Sequence, residues 1–407
     1  MPVGRRPLVV VLAANVISVT GNSVTLLGVP WYVLESTGSS ARAGVVAFCA
    51  LLPVAVSAWA SGPFIDRVGR RRVSVISDLA CGTSVAAIPL LQIGGILQFW
   101  MLCGLMALAG LASAPGVTAR GVLLPALAER AGMPLVRAAS LYDGAARCAS
   151  MVGAALGGVL ITAMGASHVL LVDAATFGVS AVVIASGLRD LPDARPSSSV
   201  RGSGGRHQGS FGESLGFLLR APLLLGICLT TLAAQGLDQG WSSVLLPDDV
   251  RVKFGSVLDL GMLETVFAVC ALAGALLYGA VAHRWGRRAV FAVAFLIVGV
   301  PRFAVAALTG SVAPLAVMMG VEGLACGTLN PIRATVVYET VPEHLRSRVI
   351  STMTSTGLMA APFGGLVAGF FVGTAGLFTT LLAAGGVYLA VTLWPVVSAS
   401  WREMDPG

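Results

Sequence analysis

Long apolar runs alternate with short polar segments along almost the whole chain. Each run is long enough for an α-helix to cross the hydrocarbon core of a bilayer, which takes about 20 residues. The pattern therefore predicts an all-α membrane protein with twelve transmembrane helices. The predicted helices lie at residues 8–33, 43–64, 73–94, 97–118, 138–164, 167–188, 222–246, 258–282, 289–309, 312–336, 348–372 and 376–399.

A short basic motif occurs twice, at the same place in each half of the chain. Residues 62–71 separate the second and third apolar runs, and residues 279–288 separate the eighth and ninth. The second half is thus a diverged copy of the first, an arrangement typical of secondary transporters. We expect a six-helix half at 1–188 and another at 218–407. Residues 189–217 are rich in Pro, Ser, Gly and Arg, so they predict a flexible cytoplasmic linker.

Composition agrees with a membrane protein. Hydrophobic residues make up 56% of the chain, charged residues 11%, and the mean hydropathy is +0.87. Soluble domains carry about 25% charged residues, so this chain has too few charges to cover a water-facing surface. The net charge of +7 comes from arginines in short loops. Their expected partner is the anionic inner leaflet rather than nucleic acid.

The basic residues also predict the orientation of the chain. With the N-terminus inside, 21 of the 26 Lys and Arg residues fall on the inner side, Arg120 of the fourth loop among them. Only Arg42, Arg251 and Lys253 fall outside. Because Lys and Arg are enriched in cytoplasmic loops, we expect both termini in the cytoplasm of a bacterium, with the protein in the plasma (inner) membrane.

The sequence contains no motif for catalysis, metal binding or nucleotide binding. The seven cysteines lie within predicted helices without C-x-x-C spacing, and the four histidines lie at loops. A Walker loop and a G-x-G-x-x-G turn after a strand are both absent. We therefore expect neither an enzyme nor a bound cofactor.

The repeated motif carries a family resemblance. The pattern G-x-x-x-D-R-x-G-R-R between helices two and three, in a chain of twelve helices and two halves, resembles the major facilitator superfamily. In that family this segment is a cytoplasmic latch between the halves. The resemblance implies a hinge or gating role for Gly62, Asp66, Arg67, Gly69, Arg70 and Arg71, and for Gly279, His283, Arg284, Gly286, Arg287 and Arg288 of the second copy.

The residue types of the hinge agree with this role. Gly62 and Gly69 allow close backbone approach and a tight turn. Asp66 can face a helix N-terminus or an arginine. The second copy has His283 in place of Asp66, so its latch should be weaker or sensitive to pH. The alternative is that the arginines only establish topology.

Helix five contains a second resemblance. Gly153, Gly157 and Gly158 belong to a stretch that is similar to the antiporter signature of drug exporters, with Ala154 in place of the usual proline. Small residues at this spacing also permit close helix packing, which is the structural alternative. The subfamily resemblance is to macrolide-efflux and siderophore exporters. It is carried by Arg120, Pro125, Arg137, Arg333, Pro342 and Arg348, together with the hinge.

Charged residues inside the apolar runs are candidates for mechanism, because each costs roughly 2.5–3.5 kcal/mol at mid-helix unless it is paired or hydrated. Asp143 and Arg147 are four residues apart on one helix and are predicted to pair. Glu264 and Arg302 lie at similar estimated depths on consecutive helices and are also expected to form a structural pair.

Two further acids lie nearer to helix ends. Asp78 is placed near the inner end of helix three, where we expect it to brace the hinge rather than to bind substrate. Asp173 is placed near the outer end of helix six, where we expect it to contact water.

Asp238 and Glu322 have no obvious partner in the sequence. Helices one, four, seven and ten line the central cavity according to the family resemblance. This makes Asp238 and Glu322, with the amides of Asn22, Gln239 and Asn330, the substrate-cavity candidates. Either acid could carry a coupling proton, because burial disfavours the charged carboxylate. The structural alternative is an acid hydrogen-bonded to a neighbouring helix.

The sequence predicts a monomeric secondary active transporter that exports small amphipathic compounds, such as drugs, antibiotics or siderophore-like natural products. The predicted mechanism is proton antiport through alternating access. The alternatives are an importer or uniporter of a small solute with the same fold, and a non-transporting membrane sensor.

Overall fold

The structure is a computed structural model that describes residues 4–189, 222–281, 287–340 and 343–397. Helices account for nearly all of these residues. They are α1 (Arg6–Thr37), α2 (Ser40–Val68), α3 (Arg70–Ile93), α4 (Phe99–Arg130), α5 (Leu135–Met164), α6 (Ala166–Gly187), α7 (Pro222–Gly240), α8 (Leu246–Lys253), α9 (Val257–Val281), α10 (Arg287–Leu308), α11 (Val312–Thr340), α12 (Glu343–Ala375) and α13 (Leu377–Val397).

The predicted fold class is confirmed. A π-helical turn at Trp241–Leu245 joins α7 to α8 without a break, so the described residues form twelve continuous helices. Nine helices of the described part are long and apolar enough to cross a membrane, and 293–308 and 377–393 are shorter apolar helices. Helix α4 is longer than predicted, because the helix continues through Arg120 and ends only at Arg130.

The chain divides into two compact units. The first comprises residues 1–36 and 45–207, and the second comprises 37–44 and 208–407. In the first unit α3 packs on α4 and α6, and in the second α9 packs on α11 and α7 packs on α12. Helix α10 packs between α11 and α13.

The small residues of α5 pack this helix onto α1 in the first unit. A methyl group on Gly153 would lie 2.5 Å from the Thr20 carbonyl oxygen and 2.7 Å from Ser23 Cβ. A methyl group on Gly157 would lie 3.1 Å from Leu27 Cδ1, and Gly158 is buried as well. The backbones approach because these positions carry no side chain, which is the packing role that small residues predict.

Candidate functional site

One arginine joins three helices of the second unit. Arg302 of α10 places Nη1 2.7 Å from Oε1 of Glu322 on α11, and Nη2 donates a hydrogen bond to Oδ1 of Asp238 on α7. The side chains of Arg302 and Glu322 are each 3% exposed, whereas that of Asp238 is 36% exposed. We call these three residues the acid–arginine cluster. It connects a buried carboxylate to one that solvent can reach.

Aromatic rings hold the guanidinium in place. Arg302 Cζ lies 4.7 Å from the ring centroid of Phe303, and 5.4 Å from the centroids of both Trp241 and Tyr388. Each cation–π contact contributes about 0.5–2 kcal/mol when it is shielded from water. Tyr388 fills the space beside Gly299, where any side chain would overlap its ring. The rings therefore restrict which way the guanidinium can turn.

The cluster carries more negative than positive charge. Two carboxylates share one arginine, so the ionised cluster has a net charge of −1. Glu322 Oε2 and Arg302 Nε are buried and have no hydrogen-bond partner among the described residues. An excess charge costs several kcal/mol where water is excluded, and less where it can rest on the partly exposed Asp238. A proton on one carboxylate removes that charge, so the cluster has the chemistry of a proton-binding site.

The prediction that Glu264 and Arg302 form a pair is wrong. Arg302 bonds Glu322 and Asp238 instead, and half-buried Glu264 makes no hydrogen bond or ion pair with any described residue. Similar depth along two helices does not say which way each helix is rotated. For the same reason, the sequence did not reveal that Asp238 and Glu322 share one partner, Arg302.

The first unit contains a second buried ion pair. Arg120 Nη1 lies 2.9 Å from Oδ1 and 3.0 Å from Oδ2 of Asp78, and both side chains are 3% exposed. Ser180 of α6 donates to Asp78 Oδ2 at 2.7 Å. The assignment of Arg120 to a loop is therefore wrong, because it lies inside α4. Asp78 ties α3, α4 and α6 together, and it makes no hydrogen bond or ion pair with a described hinge residue.

Two other predictions about charged residues are corrected. Asp173 is 1% exposed and accepts hydrogen bonds from Thr25 of α1 and from Thr176, so it does not contact water. Asp143 and Arg147 are exposed, and the described part of the chain records no ion pair between them. Hydroxyl donors on α1 and α6 satisfy Asp173, which sequence spacing alone does not reveal.

The first copy of the hinge is a tight turn. α2 ends at Val68, α3 begins at Arg70, and Gly69 between them has φ = 99°, a conformation that favours glycine. Arg71 Nη2 donates a 2.5 Å hydrogen bond to the carbonyl of Ala185 in the last turn of α6. A cation there also interacts favourably with the helix C-terminus.

Other hinge residues behave differently from the prediction. Gly62 is exposed, and a methyl group on it would meet no described atom within 4 Å, so it does not serve a close approach. Asp66 and Arg67 are exposed, and Asp66 makes no ion pair with a described residue. Arg70 is half-buried.

The second copy of the hinge lies mostly outside the described residues. Some of the substrate-cavity candidates also lack a described side chain. His283, Arg284 and Gly286 are not described, and Gly279, Arg287 and Arg288 lie in helices without described side chains. Asn22 is exposed on α1, Gln239 is half-buried, and Asn330 lies in α11 without a described side chain. Among the cavity candidates whose side chains the structure describes, Asp238 and Glu322 are brought together by Arg302.

Sequence reasoning missed the aromatic residues of the site. Phe303 is adjacent to Arg302, and Trp241 follows Asp238 by three residues, close to one helical turn. These neighbours were a usable signal that Arg302 lies among aromatic rings. Tyr388 is distant in sequence, and only the packing of α13 on α10 brings it to Arg302.

Comparison with known proteins gives matches along the full chain. The Major Facilitator Superfamily profile matches residues 11–240 and 228–406. The multidrug efflux pump Tap of Mycolicibacterium fortuitum is 33% identical over 404 residues, covering 98% of each protein. The multidrug efflux pump Tap of Mycobacterium tuberculosis strain H37Rv is 32% identical over 98% of this chain and 95% of that protein.

Solved transporter structures share the fold. The nucleoside transporter NupG superposes with a TM-score of 0.76 at 14% identity, covering 98% of each chain. The D-xylose-proton symporter superposes with a TM-score of 0.70 at 14% identity, again covering 98% of each chain. At such low identity the likeness concerns the fold alone.

Proposed function

The chain belongs to the Major Facilitator Superfamily, and from this premise we propose that it is a proton-driven drug exporter of the bacterial plasma membrane. It is a multi-pass membrane transporter and not an enzyme. The proposed cargo is a small amphipathic compound, such as a drug, an antibiotic or a siderophore-like natural product. The similarity of this chain to multidrug efflux pumps, over 98% of its length, supports export over the importer and uniporter alternatives.

The charge imbalance of the acid–arginine cluster is the observation that carries the proposed proton coupling. The cluster has one acid too many, one buried carboxylate oxygen without a partner among the described residues, and one partly exposed carboxylate. Arg302 and Glu322 alone would form a balanced buried pair, so a site that only stabilised the fold would not need the second acid on the same arginine. The cluster is instead suited to gain and lose one proton.

Proton binding has a direct structural consequence in this arrangement. Arg302 holds α7 through Asp238 and α11 through Glu322. A protonated carboxyl keeps its shape but loses the negative charge that pairs with Arg302, so a cation now donates to a neutral acceptor and the link is weaker. Protonation therefore weakens one of two links and shifts the balance between helix arrangements. This is how we expect one proton to drive one step of alternating access.

The test uses purified protein in liposomes and ethidium as the transported cation. Wild type should move ethidium uphill when a proton gradient is imposed, and an uncoupler should abolish the uphill movement. Glu322→Gln should behave as permanently protonated, so ethidium exchange should persist while uphill transport fails. Glu35→Gln, the same change at an exposed position of α1, should behave as wild type.

Each alternative has its own outcome. Exchange without uphill transport in the wild type would indicate a uniporter, and movement with the proton gradient would indicate an importer. No ethidium movement with either gradient or by exchange would favour a sensor. Wild-type uphill transport by Glu322→Gln would remove this acid from the coupling mechanism.

A further inference from the structure

Helices α9 and α11 are in backbone contact along several turns of the second unit. A methyl group on Gly323 would lie 3.0 Å from the Ala271 nitrogen and closer still to the Phe267 carbonyl oxygen. One on Gly327 would lie 2.6 Å from the Ala275 nitrogen. Such contacts are possible only without side chains, and they keep the two helices in one register.

This register brings Glu264 near the acid–arginine cluster. Glu264 lies three residues before Phe267 on α9, and Glu322 directly precedes Gly323 on α11. Because Glu264 lies one helical turn from Phe267, it is on the face of α9 that packs against Gly323 of α11. It makes no hydrogen bond or ion pair with a described residue, and neither does the buried Oε2 of Glu322. Two carboxyl groups with unused hydrogen-bonding capacity therefore lie at the same contact between α9 and α11.

Glu264 is also nearer than Glu322 to the predicted outer surface. It lies seven residues after Val257, the first residue of α9, which is about 10 Å of helix. Glu322 lies ten residues after Val312, the first residue of α11, or about 15 Å. Both helices run inward in the predicted orientation, so Glu264 stands between the outside and the buried acid.

We propose that Glu264 is a proton-relay residue that loads Glu322 from the outer side of the membrane. The inference rests on the proposed proton antiport and deepens it. Hydronium outside protonates the Glu264 carboxylate. That proton then passes to Oε2 of Glu322, directly or through one water molecule, and Glu264 returns to the carboxylate. Only a proton moves, so no oxidant or further reactant is needed.

The surroundings favour transfer over permanent pairing. The charged groups of the neighbouring helices are Arg302 on α10 and Glu322 on α11, and Arg302 is already bonded to two acids. On the adjoining α8, Asp249 and Lys253 pair with each other at 2.7 Å. Glu264 is thus left with neither a tight cation partner nor a competing donor among the described residues, so no ion pair holds it permanently in the carboxylate form.

The experiment compares Glu264→Gln and Glu264→Asp with wild type in the liposome assay, over a range of external pH. Glu264→Gln should slow uphill ethidium transport by about 100-fold, the lower end of what a positioned proton-transfer group contributes. The deficit should be largest at high external pH, where protons are scarce. Ethidium exchange should stay within about twofold of wild type, since it needs no net proton transfer. Glu264→Asp should recover part of the rate.

Asp259→Asn is the matched control, because it removes a carboxylate from the first turn of the same helix. It should keep the wild-type rate and pH profile. The relay is overturned if Glu264→Gln matches wild type, if it slows exchange and uphill transport equally, or if Asp259→Asn has the same effect. A wild type that transports ethidium only downhill overturns the proposed antiport and the relay with it. If the wild type couples transport to protons and Glu264→Gln transports at the wild-type rate, only the relay is overturned.

Discussion

Replacing Gly299 by alanine tests whether the aromatic rings position Arg302. A methyl group there would overlap three ring atoms of Tyr388, namely Cγ, Cδ1 and Cε1. The ring would have to move by on the order of 1–2 Å to reach ordinary contact distance. It has little room, because the Phe295 centroid lies 5.6 Å and the Phe303 centroid 6.3 Å from its own.

The expected change in the free energy of unfolding follows from two opposing effects. Overpacking a close-packed site costs about 1–3 kcal/mol, and a rigid ring between two others should give a value near the upper end. Alanine has a higher helix propensity than glycine by about 1 kcal/mol. The net destabilisation expected is about 2 kcal/mol. Uphill transport should fall as well, since a displaced Tyr388 no longer faces the guanidinium.

The assay is the thermal unfolding midpoint of the purified protein in detergent, with Gly320→Ala as the control. A methyl group on Gly320 would lie 3.5 Å from Val266 Cγ1 and 3.6 Å from Cys270 Sγ, which is ordinary contact. Gly320→Ala should therefore be neutral or stabilising, and Gly299→Ala should unfold at a lower temperature. Replacing Tyr388 by alanine in the Gly299→Ala background should relieve the overlap. Equal midpoints for the two single variants would refute the packing argument.

Two further predictions concern the hinge and the topology. Asp66→Asn should lower transport with unchanged protein amount and ethidium binding, because the lost charge shifts the conformational equilibrium by roughly 0.3–2 kcal/mol. His283→Asn should lower transport less. Equal transport by Asp66→Asn and wild type, at matched protein levels, would reduce the motif to a topology signal. Single cysteines at Ser203 and Ser256, in a background without native cysteines, should differ in intact cells. Only the cysteine at 256 should react with an impermeant thiol reagent, and reaction at 203 would contradict cytoplasmic termini.

The hinge shows which structural features a sequence motif can predict and which it cannot. The glycine at position 69 and its basic neighbours were recognised from sequence, and the structure places a positive-φ turn there with Arg71 on the end of α6. The same motif suggested that Gly62 serves a close approach and that Asp66 finds a partner, and neither is seen among the described residues. A motif identifies which residues matter, but not what each contacts in one conformation.

The buried charges show where sequence reasoning ends. Asp78, Asp238, Arg302 and Glu322 were recognisable as costly inside apolar runs, and each is indeed hydrogen-bonded. Their partners were not recognisable. One residue along a helix changes the facing direction by about 100° and the depth by only about 1.5 Å. Depth can therefore be read from a sequence with useful accuracy, whereas the facing direction depends on how neighbouring helices are rotated.

The sequence alone determined the helix number, the duplicated halves and the membrane character of this protein. Bilayer thickness imposes a minimum length on each apolar run, and that length is visible residue by residue. Only the tertiary structure decided that Arg302 joins Asp238 to Glu322, that Arg120 joins Asp78, and that Glu264 is left without a partner among the described residues. Those pairings depend on glycine contacts and aromatic packing between helices that are far apart in sequence. They follow from the rotation of each helix, on which the length and composition of an apolar run place no constraint.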